Sequence, residues 1–254
     1  MLTETLFMGR YMGGKPGCGS DLERWGFYNV YGFKFPSENE LKHIQAIIIP
    51  GSHLSVRDAD NKENWAAALK DFIVKVYTEH KHVKILGICF GSQLVAEALG
   101  GQVEKMAYGR MFIGKESIAV TNNFFSYTPV AKIVDEACAR GSVSRDTLQV
   151  SLRQQVLPAC HTDHVARLPQ GAESLGSSQH SPNEIWRISD RVLCIEAHPE
   201  FNIEFIEDMV VSRLYDLGKL DDMLKNESLD RLRTSSMLLS RNTMNRFITL
   251  FLNM

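Results

Sequence analysis

Long apolar stretches are missing from this 254-residue chain. Runs such as Ala46–Pro50 fall far short of the roughly 20 residues that a bilayer-spanning helix needs. Charge of one sign is also scarce. The formal net charge is −2, too near neutral to argue for a nucleic acid or an anionic membrane surface as partner. Cysteine is sparse and unpatterned, with five residues at Cys18, Cys89, Cys138, Cys160 and Cys194 and no C-x-x-C pair. An odd number at wide spacing predicts free thiols in a reducing compartment, the cytoplasm, rather than a disulfide framework. Met1–Arg10 lack the basic start and long apolar stretch of a signal peptide. Internal repeats and low-complexity tracts are absent as well. What remains is an ordinary composition, 44% apolar and 23% charged, sufficient for a buried core in one α/β domain with extensions.

Within that composition the order of elements is legible. Thr5–Met8 suggests a short strand, Gly9–Ser20 a glycine-rich loop and Trp25–Phe35 an aromatic strand. Ser37 and Glu40 form a capping box at a helix start. Ala46–Pro50 reads as a buried parallel strand ending in Gly51-Ser52. Residues Asn61–His80 place Trp65, Leu69, Phe72, Val76 and Tyr77 on one helical face. A strand at Val83–Ile88 and a helix at Ser92–Leu99 follow, closed by Gly100-Gly101. This alternation predicts a parallel sheet with right-handed crossovers. Beyond Gly101, short strands are expected at Ser117–Val120, Leu148–Leu152, Ser174–Ser177, Glu184–Ile188 and Val192–Glu196. Their turn-separated spacing predicts an antiparallel extension of the sheet. A helix is expected over Asn202–Leu217 and amphipathic helix over residues 219–254, while Thr128–Ser144 carries no clear pattern.

The most informative segment is Gly87-Ile88-Cys89-Phe90-Gly91. A strand that runs directly into a helix, with small residues on both sides of the junction, forms a nucleophile elbow. The thiol then points away from the sheet at the positive end of a helix, where the reactive thiolate is favoured. The residue after the nucleophile, Phe90, supplies one oxyanion N–H. Gly51 offers a second where backbone can approach a substrate, although Pro50-Gly51 reads equally well as a plain turn.

A cysteine nucleophile needs a base, and the base an orienting group. His43, His53, His80, His82 and His180 lie in helix ends or polar loops and read as bland, exposed histidines. His198 emerges from the carboxyl end of an apolar strand, where sites gather in open α/β sheets. Glu200, two residues on, is placed to accept its other ring N–H. The segment Cys160-His161-Thr162-Asp163-His164 looks metal-like, yet a ligand set with metal spacing is absent. Pro158 argues for a loop there, so the segment reads as a polar substrate-contact loop and no metal is assigned.

Five segments, in this order, resemble the class I glutamine amidotransferase domain. They are Ile-Ile-Ile-Pro-Gly-Ser-His-Leu-Ser-Val (47–56), Leu-Gly-Ile-Cys-Phe-Gly-Ser-Gln-Leu (86–94), Gly-Gly-Gln-Val (100–103), His-Thr-Asp-His-Val (161–165) and Ala-His-Pro-Glu-Phe-Asn (197–202). Within that family the chain looks most like stand-alone γ-glutamyl peptidases of the plant type. The resemblance implies a flavodoxin-like open, mostly parallel sheet with helices on both faces, to which the strand spacing adds the antiparallel extension and the amphipathic pattern a C-terminal helical tail. The expected division is residues 1–36, an N-terminal segment of the same domain, 37–217, the amidotransferase-like domain, and 218–254, a helical extension past the shared domain. The resemblance implies Cys89 as nucleophile, His198 as base and acid, Glu200 as its orienter, and oxyanion donors at Gly51 and Phe90. Gln93, Thr162 and Asp163 are implied to contact the γ-glutamyl substrate. No metal or organic cofactor is needed for that chemistry. The implied partner is a small γ-glutamyl molecule, with a separate synthetase subunit as the alternative partner. A catalytically silent regulatory domain is the third reading. One departure stands out: Glu196 occupies a position where many members carry glutamine.

Overall fold

The computed structural model describes residues 7–11, 24–57, 65–107, 109–140, 144–233 and 237–254. In chain order the first strands are β1 (Phe7–Tyr11), β2 (Arg24–Tyr28), β3 (Ile44–Ile49), β4 (Lys84–Ile88), β5 (Gln102–Lys105) and β6 (Phe112–Val120). The later strands are β7 (Gln154–His161), β8 (Asp163–Arg167), β9 (Glu173–Ser177), β10 (Ile185–Ile188) and β11 (Val192–Ile195). The labelled helices begin with α1 (Glu38–Leu41), α2 (Trp65–Glu79), α3 (Phe90–Ala98) and α4 (Asn122–Ser126). They continue with α5 (Thr128–Ala139), α6 (Arg145–Leu152), α7 (Asp222–Arg233) and α8 (Leu238–Asn253). The architecture is α/β, a mixed sheet with a parallel centre, together with helices. Among the described residues no helix is long and apolar enough to cross a membrane. The chain forms two compact units. The first holds Met1–Glu104, Asp163–Glu173 and Ile185–Glu196; the second holds Lys105–Thr162, Ser174–Glu184 and Ala197–Met254.

In the first unit the strand order is β2-β1-β3-β4-β11-β10. Strands β3, β4 and β11 run parallel, with Ile49 opposite Gly87 and Ile88 opposite Ile195. Strands β1 and β10 pair antiparallel with this centre. The β-branched run of β3 suits a strand buried on both faces. Ile44, Ala46, Ile47 and Ile49 are all fully buried. Helix α2 adds Trp65, Leu69, Phe72 and Val76 to the same core, with Tyr77 partly buried beside it. The capping box forms as expected, with Ser37 Oγ accepting from Glu40 N–H and Glu40 accepting from Ser37 N–H.

The second unit contains β9-β6-β7, all antiparallel, as the spacing after Gly101 predicts. Its core includes Ile113, Ile206, Val211, Leu214 and Leu232. The amphipathic tail forms α7 and α8. Phe247 of α8 packs edge-on against Phe124 and Tyr127 at 5.5 and 5.7 Å.

Several expectations need correction. Leu148–Leu152 is helical, because Ser144 caps α6 by accepting from Thr147 N–H. Its alternating apolar residues also fit an i, i+4 helical pattern; Leu152 is buried while Val150 is 74% exposed. The strand at Trp25 ends at Tyr28, because Asn29 caps a 3-10 turn and Phe33 takes a left-handed conformation at φ 56°. Unpatterned Thr128–Ser144 contains helix α5, with Pro129 in its first turn. Residues 158–164 are strand apart from the bend at Thr162, and Pro158 lies within β7. It is tolerated because β7 pairs on one side only, with β6, and its carbonyl accepts from His198 N–H at 2.7 Å. The N-terminal strand lies at Phe7–Tyr11; residues 1–6, and with them the start of the Thr5–Met8 expectation, fall outside the described residues, as do 12–23 of the Gly9–Ser20 loop. The Asn61–His80 helix is described from Trp65.

Candidate active site

In the first unit Cys89 stands between β4 and α3, at φ 50° and ψ −111°. A side chain held at positive φ is strained by about 1–3 kcal/mol, and such strain collects at functional sites. The turn is held by two backbone bonds: Cys89 N–H donates to Ile195 C=O at 2.8 Å and Gln93 N–H donates to Cys89 C=O at 3.1 Å. Cys89 is 4% exposed and is not disulfide-bonded. The β3–β4 register puts Ile49 beside Gly87; Gly51 follows the first by two residues and Cys89 follows the second by two. Phe90 opens helix α3, its side chain buried against Trp65. Two other thiols are chemically quiet. Burial pushes Cys160 up to about 12 and Cys194 well above the ordinary thiol value.

Behind the elbow lies a polar network that the sequence signalled only at Gln93, Asp163 and Glu196. Gln93 Nε2 donates to Asp163 C=O at 2.9 Å and to Glu196 Oε2 at 3.0 Å. Both amide protons of Gln93 are thereby engaged. Ser92 Oγ donates to Glu196 Oε1 at 2.6 Å and accepts from Trp186 Nε1 at 3.0 Å. Asp163 is tied in turn to Ser55, whose Oγ donates to Oδ2 at 2.5 Å, with Arg57 at 3.8 Å. Ser92, Trp186, Ser55 and Arg57 were not singled out by sequence reasoning. Ser55 lies inside the 47–56 segment and Ser92 inside the 86–94 segment, which are the available signals.

Glu196 is fully buried, and burial pushes its carboxyl up to about 8, against the lowering effect of the Ser92 and Gln93 hydrogen bonds. A carboxyl raised on folding keeps its proton in the native state while the unfolded chain releases it. Native stability therefore falls as pH rises from about 4.5 towards 8, then levels. Glutamine at this position stays neutral, accepts from Gln93 and donates to Ser92. Glu196→Gln should melt progressively higher than wild type as pH rises through that window, and thermal unfolding across pH measures it. A constant difference from pH 5 to 8 would contradict the assigned protonation.

In the second unit His198 Nδ1 bonds Glu200 Oε1 at 2.6 Å. That bond places the proton on Nδ1 and leaves Nε2 as the basic nitrogen. The ring is 5% exposed and stacks on Phe201 at 4.4 Å with 6° between planes. Helix α8 secures the same segment, because Arg241 Nε and Asn245 Nδ2 both donate to Pro199 C=O at 3.3 Å. Thr162 joins β7 to β8, its carbonyl accepting from Met106 N–H at 3.0 Å. His164 lies in β8, half-buried, with desolvation holding it below the ordinary imidazole value. The structure thus brings Cys89, Gln93 and Asp163 into one unit and His198 and Glu200 into the other.

The fold is α/β, with a cysteine at a strand-to-helix elbow in one unit and an imidazole–carboxylate pair in the other. Residues 23–212 match the family model for "Glutamine amidotransferase class-I", and the chain belongs to that family. Among curated relatives, it is 31% identical to "Gamma-glutamyl peptidase 4" of Arabidopsis thaliana over 198 residues, covering 76% of this chain and 68% of that protein. It is 28% identical to "Gamma-glutamyl peptidase 3" of the same plant, covering 85% and 78%. A glutamine amidotransferase from Thermotoga maritima has a similar fold, with TM-score 0.60 at 15% identity over 89% of this chain and 86% of that one.

Proposed function

We propose that this protein is a cysteine-dependent hydrolase that cleaves the γ-glutamyl amide bond of glutamine or of γ-glutamyl peptides. The observation that carries the reading is the strained Cys89 at a strand-to-helix junction, φ 50°, in a chain whose relatives include γ-glutamyl peptidases. Strands β4 and β11 are paired at Ile88 and Ile195; Cys89 follows the first by one residue and His198 follows the second by three.

In the proposed reaction the Cys89 thiolate attacks the γ-carbonyl carbon. The developing oxyanion is met by the backbone N–H groups of Gly51 and Phe90. The C–N bond then breaks as protonated His198 gives its Nε2 proton to the departing amine or ammonia. A γ-glutamyl thioester on Cys89 remains. Water, deprotonated by His198, adds to the thioester; the C–S bond breaks and glutamate leaves. Glu200 holds the imidazole in the required tautomer throughout. Gln93, through the side-chain oxygen that its two engaged amide protons leave over, and Thr162 and Asp163 are the proposed contacts to the γ-glutamyl group.

Mass spectrometry of the protein incubated with glutamine and a panel of γ-glutamyl dipeptides tests this reading. The expected result is a γ-glutamyl adduct on the Cys89 peptide, with release of glutamate and free amine and no second protein present. Turnover confined to mixtures with a synthetase would replace it with an ammonia-supplying glutaminase. Neither adduct nor product from any compound would overturn it.

A further inference from the structure

A second cluster of reactive side chains lies within the second unit. Glu116 on β6, His161 at the end of β7 and Glu184 just before β10 each present one ligating atom, and these atoms lie within 4.8 Å of one another. All three residues are buried, at 3%, 4% and 0% exposure. Each carboxylate is also held from behind. His180 Nδ1 bonds Glu116 Oε2 at 2.6 Å, and Ser178 Oγ donates to Glu184 Oε1 at 2.7 Å. His180 is therefore not the bland, exposed histidine expected from sequence. Phe112 packs against both imidazoles, at 4.3 Å from His180 and 6.3 Å from His161.

We propose that Glu116, His161 and Glu184 form a divalent-cation site, with His180 and Ser178 as the outer groups that orient its carboxylates. The charge balance favours this. A buried carboxylate is costly unless its charge is compensated, and a divalent cation held between two of them compensates both. The donor set favours it too. One imidazole nitrogen and two carboxylate oxygens match Zn²⁺, with a further position left for water. Hydrogen-bonded ligating carboxylates, each with a fixed outer partner, are characteristic of built metal centres. Its role is structural. The ion ties β6, the end of β7 and residues 178–184 together, and so fixes the strand end from which Thr162 continues. Local sequence spacing could not reveal the set, because two of its three ligands lie far from residues 160–164.

The experiment uses the full chain, stripped with chelator, dialysed and titrated with Zn²⁺ alone. One Zn²⁺ per chain is expected by elemental analysis, with a melting temperature that rises as Zn²⁺ is added. His180→Gln, which alters only the outer shell, should weaken Zn²⁺ binding about 10–100-fold. Glu184→Gln should weaken it more. Co²⁺ loaded into the wild-type protein should give visible d–d bands without a thiolate charge-transfer band. A reloaded wild-type chain that stays far below one Zn²⁺, or a Co²⁺ spectrum with a thiolate band, would overturn the assignment. So would wild-type affinity in Glu184→Gln. The wild-type measurements decide the matter even where a variant fails to fold.

Discussion

Cys89→Ser should lower γ-glutamyl hydrolysis by roughly 10⁴-fold or more, as loss of a nucleophile does in acyl-transfer sites. The change is one atom, so its effect is chemical rather than structural. The side chain is nearly isosteric, and the two backbone bonds that define the elbow, to Ile195 and from Gln93, involve no Cys89 side-chain atom. A serine hydroxyl is far harder to ionise than a thiol, and a helix N-terminus alone does not supply a serine nucleophile. The melting temperature should therefore stay near wild type while turnover collapses and a glutamine-like affinity label no longer modifies residue 89. Wild-type turnover in the serine variant would remove Cys89 from the mechanism. Unfolding of the variant would instead assign the residue a packing role.

Gly91→Ala should be among the most destabilising single substitutions in the first unit. A Cβ at position 91 would stand 1.9 Å from the Ile49 carbonyl oxygen and 2.6 Å from its carbon. These are backbone atoms of β3, a strand buried between its neighbours, so no side chain can turn aside to relieve the overlap. Gly87 faces the same helix from β4, where a Cβ would lie 2.8 Å from the backbone of Gly91 and Ser92. The two glycines allow helix α3 to rest directly on the strand backbones, and that close seating holds Cys89 at φ 50°. Overpacking of this kind costs about 3 kcal/mol. In a chain of this size the melting temperature should fall by roughly 6–12 °C. Since Gly51 follows Ile49 by two residues, hydrolysis should also fall more than the loss of folded protein explains. A melting temperature within 2 °C of wild type would show that α3 can lift off β3.

The candidate residues of each unit were legible from local features. Cys89 could be read because an apolar strand, small flanking residues and an amphipathic helix are all local features. His198 and Glu200 could be read because a strand end and a two-residue spacing are local as well, and their bond at 2.6 Å follows that reading. Misreadings arose where a local pattern had two solutions. Leu148–Leu152 satisfies both a strand and a helix period, and the Ser144 cap chose the helix. Pro158 argued against a strand only until it lay in a strand paired on one side.

What the sequence determined by itself was local: a cysteine at a strand-to-helix elbow, an imidazole beside its carboxylate, and the succession along the chain of the elements that carry them. Hydrophobic periodicity and turn chemistry act over a few residues, so they survive in a one-dimensional reading. Tertiary structure alone decided how distant polar groups are partnered. It placed Glu196 in a fully buried network with Ser92, Gln93 and Trp186. It set Arg241 and Asn245 of the C-terminal helix on the carbonyl between His198 and Glu200. It also gathered Glu116, His161 and Glu184 within 4.8 Å. Buried hydrogen bonds and charge pairs are satisfied by whatever the fold brings near, and no spacing along the chain records that choice.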